Sequence, residues 1–109
     1  MRDAAWLGLR DVTRHRQQDR GAMRIWFKEI KGTHLVRDMV ITDDSEDTRT
    51  HKVFRALDEA CYELGLARPI WLEPVIKDFK RHARTRFTQD AFVEELDFDY
   101  LEMQVLEED

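Results

Sequence analysis

Long apolar runs are missing from this chain of 109 residues. Nowhere do about 18 apolar residues follow one another, so no transmembrane helix is encoded. One cysteine cannot form an internal disulfide, which fits a reducing compartment. Four glycines, at positions 8, 21, 32 and 65, are too few and too far apart for a phosphate-binding loop. A secretory signal needs an unbroken apolar stretch near the start, and Asp3, Gly8 and Arg10 interrupt the only candidate. These absences lead us to expect a cytoplasmic protein that is not bound to a membrane.

Charge is abundant by contrast. Charged residues make up 38% of the chain, against roughly 25% in an average domain, yet 42% apolar residues suffice for one core. The charge is unevenly placed. Residues 1–22 carry five Arg and three Asp, leaving 13 bases and 20 acids, a net charge of −7, for residues 23–109. Lys77 to Arg86 holds five bases and one acid, whereas Asp90 to Asp109 holds nine acids and no base. A basic block followed by an acidic one is the strongest compositional feature.

Residues 1–22 read as an extension, loosely structured or a short helix, because 14–21 has no apolar residue and only Trp6, Leu9 and Val12 share a helical face. The domain proper is expected over 23–109. Ile25–Ile30 and Leu35–Ile41 are rich in β-formers and flank Lys31-Gly32-Thr33-His34, a hairpin whose turn uses the positive φ open to Gly32. After the acidic run Asp43–Asp47, with Ser45 or Asp47 as cap, a helix is predicted over 48–64 with Val53, Phe54, Leu57, Ala60, Cys61 and Leu64 on one face. Gly65 ends it. Pro74 opens a second helix that buries Val75, Ile76, Phe79 and Ala83. Residues 85–97 give no clear period. Leu101–Val105 alternates as a strand. The expected fold is therefore α+β: a small two-layer β-β-α-α-β unit, its antiparallel sheet packed on two helices.

Four segments, 52–57, 69–72, 79–87 and 98–102 (KVFRAL, PIWL, FKRHARTRF and FDYLE), resemble a group of small uncharacterised bacterial proteins from Gram-positive anaerobes over about residues 23–109. The resemblance implies a bacterial cytoplasmic origin and a domain that starts at Met23. It implies nothing about chemistry.

Catalytic and metal signatures are weak. Cys61 lies on the apolar face of the first helix, where a structural thiol belongs rather than a nucleophile. His15, His34, His51 and His82 are widely separated, and no pair has ligand spacing. An EF-type calcium loop begun at Asp43 would place Thr48 where glycine is required and Phe54 where glutamate is required. No cofactor and no metal are expected. Asp78 and His82, four residues apart, form the one pair able to act as an oriented base.

Two surfaces remain. Lys77, Lys80, Arg81 and Arg84 fall on one face of the second helix and continue into Arg86, a candidate nucleic-acid face. On the sheet, Ile25, Phe27, Leu35, Met39 and Ile41 are expected to face the helices. Trp26, Ile30, Val36, Val40, Tyr100 and Leu106 then form an apolar outer patch, the candidate interface for a protein partner or a second copy in a homodimer. Tyr62 and Trp71 are lesser candidates. The leading reading is a non-enzymatic protein-binding or regulatory module. A nucleic-acid-associated protein comes second, and an enzyme or accessory subunit using Asp78 and His82 third.

Overall fold

The computed structural model of the protein describes residues 22–108, so the expectations for Trp6, Leu9, Val12 and His15 lie outside the described residues. The α+β expectation holds, with one strand more than the periodicity showed. Strands β1 (Met23–Lys31) and β2 (His34–Asp43) are followed by helices α1 (Arg49–Leu64) and α2 (Glu73–His82). Strands β3 (Arg84–Thr88) and β4 (Tyr100–Glu107) complete an antiparallel sheet of order β2-β1-β4-β3.

Local chemistry accounts for most of the boundaries. Gly32 takes φ 63° in the two-residue turn between β1 and β2. The cap of α1 is Thr48, whose hydroxyl accepts from the His51 N–H, rather than Ser45 or Asp47. Gly65 closes that helix in the left-handed conformation, φ 73°, with its N–H on the Tyr62 carbonyl.

The end of α2 differs from expectation. Ala83 adopts φ 55°, a conformation that favours glycine, and donates its N–H to the Phe79 carbonyl. The chain turns there directly into β3. Arg84 and Arg86 therefore leave the helix and stand on a strand, while Thr85 and Phe87 point into the core. Val105 on β4 donates to the Ala83 carbonyl and anchors the turn to the sheet.

The core lies between one sheet face and the two helices. Ile25, Phe27, Phe87, Leu101 and Met103 from the sheet meet Val53, Leu57, Ala60, Cys61 and Phe79. Trp71, between the helices, packs edge-on against Phe54, Phe79 and Phe87 with ring centroids 5.3–5.9 Å apart. That gives Trp71 a structural role. The loop after β3 is held by the Gln89 side chain, which donates to the Glu94 carbonyl and accepts from the Leu96 N–H.

A β-bulge shifts the β1–β2 register between Glu29 and Ile30, so that Glu29 opposes Arg37 but Ile30 opposes Leu35. Val36 becomes the extra residue. Leu35 consequently shares the outer face with Ile30 instead of facing the helices, which corrects the simple alternation.

Candidate functional site

Both helices pack on one side of the sheet, and among the described residues no element covers the other. The β registers arrange that open face as rows across the strands. One row reads Val40, Trp26, Gln104, Arg84; the next Asp38, Lys28, Glu102, Arg86; the third Leu35, Ile30, Tyr100, Thr88. Trp26, Ile30, Val40 and Tyr100 thus occupy the expected face. Leu106 is exposed at the far end of β4, and Val36 is exposed at the bulge.

The middle row divides what alternation alone draws as one apolar patch. Lys28 and Glu102 sit near the sheet centre with side chains only 14% and 10% exposed, their charged groups 3.9 Å apart. Their neighbours shelter them. The Lys28 ammonium lies 3.9 Å from the Trp26 ring centroid, and it donates to Gln104 Oε1. Arg84 approaches Glu102 from the other side at 3.8 Å. The Trp26 indole N–H donates to Asp38 Oδ2 at 2.9 Å, and the Arg86 guanidinium lies 4.7 Å from the Tyr100 ring. Alternating charge thus crosses all four strands, with Trp26 and Tyr100 on either side as aromatic plates.

The basic stripe is divided between two layers. Lys77, Lys80 and Arg81 are exposed on α2, and none of them pairs with Glu94, Glu95, Asp97 or Asp99 among the described residues. Glu94 instead accepts from the Ala67 N–H and Asp99 from the Gly32 N–H. Arg84 and Arg86 belong to the open sheet face. No single surface holds all five bases, so the α2 stripe shrinks to three.

The other candidates resolve locally. Asp78 and His82 lie 4.0 Å apart on the solvent side of α2, half-exposed. Cys61 is buried, and burial, reinforced by the nearby Asp58 and Glu94 charges, pushes its thiol up to about 12. At that value essentially none is thiolate near neutral pH. Among the described residues no group of three His, Cys, Asp or Glu side chains is placed to hold a metal ion. Tyr62 is 82% exposed on α1.

An open cleft of about 330 Å³ lies where β2 meets α1. Arg55 fills its polar side, donating to Asp43, Ser45 and Asp47. Hydrogen bonds from Arg55, His51 and the Thr48 N–H hold the Asp47 carboxyl well below its usual range. Burial alone would raise Asp43, but hydrogen bonds from Ser45 and Arg55 outweigh it and the net shift is downward. The acidic run 43–47 is therefore a lock on the start of α1.

Comparison with protein-family models, with curated proteins and with solved structures finds no match to this chain.

Sequence reasoning missed Lys28, Asp38, Glu102 and Gln104 as members of one face. Nothing in their local sequence distinguishes them from scattered surface residues. Arg84 and Arg86 carried a usable signal, since Arg84-Thr85-Arg86-Phe87 alternates exposed and buried with period two.

Proposed function

We propose that the protein is a non-enzymatic binding module that recognises a protein partner through the open face of its sheet, in the cytoplasm of a bacterium. The supporting observation is the face itself. It displays Trp26, Val40, Ile30, Leu35 and Tyr100 beside a charged row in which Lys28 pairs with Glu102, Asp38 accepts from Trp26 and Arg86 lies over Tyr100. Aromatic and aliphatic groups supply apolar area there, while Asp38, Arg84 and Arg86 at its margins supply directional contacts. Binding of this kind needs no reacting group.

The test uses the full chain and a Trp26→Glu variant as baits in extracts of a Gram-positive anaerobe, with retained proteins quantified by mass spectrometry. Circular dichroism must first show both baits folded. A protein retained by the wild type and lost by Trp26→Glu supports the reading. Equal retention of every protein by both baits overturns it.

A nucleic-acid reading stands second, and one observation favours it: β3 carries Arg84 and Arg86 onto the same face as Trp26 and Tyr100. Bases beside stackable rings suit a single strand. It ranks lower because Glu102 already engages Lys28 and Arg84. Titration with a fluorescent oligouridylate at physiological salt distinguishes the two, micromolar binding with a steep salt dependence supporting RNA.

A further inference from the structure

Strand β2 is the longest in the sheet, at ten residues, and stands at its edge with β1 on one side and no described strand on the other. Exposed edges normally carry charged side chains, lysine above all, proline or a mid-strand bulge that discourages pairing. β2 has neither lysine nor proline, and its charged residues Arg37, Asp38 and Asp43 are engaged within the chain by Glu29, Trp26 and Arg55. Its single bulge lies at Val36, near the hairpin, which leaves Arg37 to Asp43 as seven regular residues. Along them Val40 is 40% exposed and Met39 half-buried.

We infer that the β2 edge pairs with the β2 edge of a second copy of this chain, antiparallel, with Val40 opposite itself on the two-fold axis. The register follows from the residues. Two residues directly opposed across antiparallel strands point to the same sheet face, so the axis must pass through a residue and its own copy. An axis at Asp38 sets two carboxylates together. An axis at Met39 opposes Asp38 to Val40 and Arg37 to Ile41. An axis at Ile41 opposes Met39 to Asp43. Only Val40 sets apolar residues against apolar ones and keeps like charges apart: Val40 with Val40, and Met39 with Ile41 and Asp38 with Thr42 twice each. Arg37 and Asp43, of opposite sign, fall opposite one another, already engaged by Glu29 and Arg55 within each chain. Opposite charges and apolar residues in directly opposed positions favour pairing, and like charges oppose it.

The pairing stands apart from the open-face reading and adds to it. Val40 is the end of the row that continues to Trp26. With Val40 on the axis, the two rows join as Trp26, Val40, Val40 and Trp26, one apolar strip across an eight-stranded sheet. A self-complementary patch of this kind closes as a dimer and does not propagate. The seven-residue contact is small, so the dimer should form with concentration rather than be permanent.

The test is disulfide trapping on the full chain. The Cβ atoms of directly opposed residues lie about 4.5–5.5 Å apart, near the roughly 3.5–4.5 Å of a disulfide. Under mild oxidation Val40→Cys should form a covalent dimer at least tenfold faster than Val93→Cys, an 87%-exposed control outside the strands. Asp38→Cys and Thr42→Cys should each crosslink poorly alone but efficiently when mixed. The native Cys61 is buried and should not contribute. Light scattering on the wild type should show the mass rising from 13.1 kDa toward twice that with concentration, and Val40→Lys should weaken association at least tenfold. Rates for Val40→Cys no greater than for Val93→Cys, or a wild type monomeric at every concentration, overturn the pairing. Neither result bears on retention by Trp26→Glu, so the two readings fail separately.

Discussion

Arg37 grips the carboxylate of Glu29 with two hydrogen bonds, Nε to Oε1 at 3.1 Å and Nη2 to Oε2 at 2.9 Å. The same Nη2 donates to the carbonyl of Leu64 at the C-terminus of α1, at 3.0 Å. Glu29 is only 2% exposed on the face of the central strand β1 that looks toward the helices, and Arg37 is its cross-strand neighbour on β2. One guanidinium thus neutralises a buried acid, satisfies an orphan helix carbonyl and ties the sheet edge to α1.

Arg37→Met should destabilise the fold by on the order of 2 kcal/mol, because it leaves Glu29 buried without its cation. Adding Glu29→Leu should recover part of the loss, since replacing both partners removes the buried charge. Chemical denaturation of the wild type and both variants measures the difference. An unchanged midpoint for Arg37→Met would refute the assignment.

Stability should fall in acid through Asp43 and Asp47. Both carboxyls are held below their ordinary values in the folded chain, so their contribution is fully present above about pH 4, the unfolded range. It is lost as the pH falls toward the folded values. Arg55→Gln should therefore melt below the wild type at pH 7, and the gap should narrow as the pH drops below about 4. Melting curves across that range show it directly.

Ala83→Gly should stabilise the protein by about 1 kcal/mol, because an L-residue is strained at φ 55° and glycine is not. If α2 continued through Ala83, the same change would destabilise it by a similar amount. The sign of the shift in melting temperature decides between the two.

Reversing Lys80 and Arg81 to Glu together should lower the denaturation midpoint only slightly, since both are exposed on α2 and the change costs only the favourable interaction of last-turn cations with the helix dipole. Reversing Arg84 and Arg86 should lower the midpoint by several degrees. Those changes bring two acids beside Glu102, which is nearly buried in the sheet face. Equal effects from the two pairs would mean that the bases do not divide between layers as described.

Leu57→Ala, at the centre of the α1 face and fully buried, should cost about 2–5 kcal/mol through the cavity it leaves. A midpoint unchanged by that substitution would remove Leu57 from the core.

Several elements were legible from residue spacing alone. The helical period of Val53, Leu57, Ala60, Cys61 and Leu64, closed by Gly65, specifies α1, because burial of one face and the positive φ of its terminal glycine are local requirements. Gly32 between two β-rich runs specifies the hairpin in the same way, and alternation over Leu101–Val105 marks β4. The end of α2 escaped such reasoning because Ala83 takes a left-handed conformation that no glycine announces; the hydrogen bond from Val105 that helps to hold it comes from β4. The cap of α1 was misplaced from sequence, at Ser45 or Asp47 rather than Thr48, since all three side chains can accept from a backbone N–H and only the observed start of the helix chooses among them. The charged row was beyond local reading altogether. Lys28 and Glu102 are 74 positions apart, and only the insertion of β4 between β1 and β3 sets them side by side. Helix faces and turns follow from interactions among near neighbours, whereas the content of a sheet face follows from strand order and register, which distant segments settle together when the chain packs.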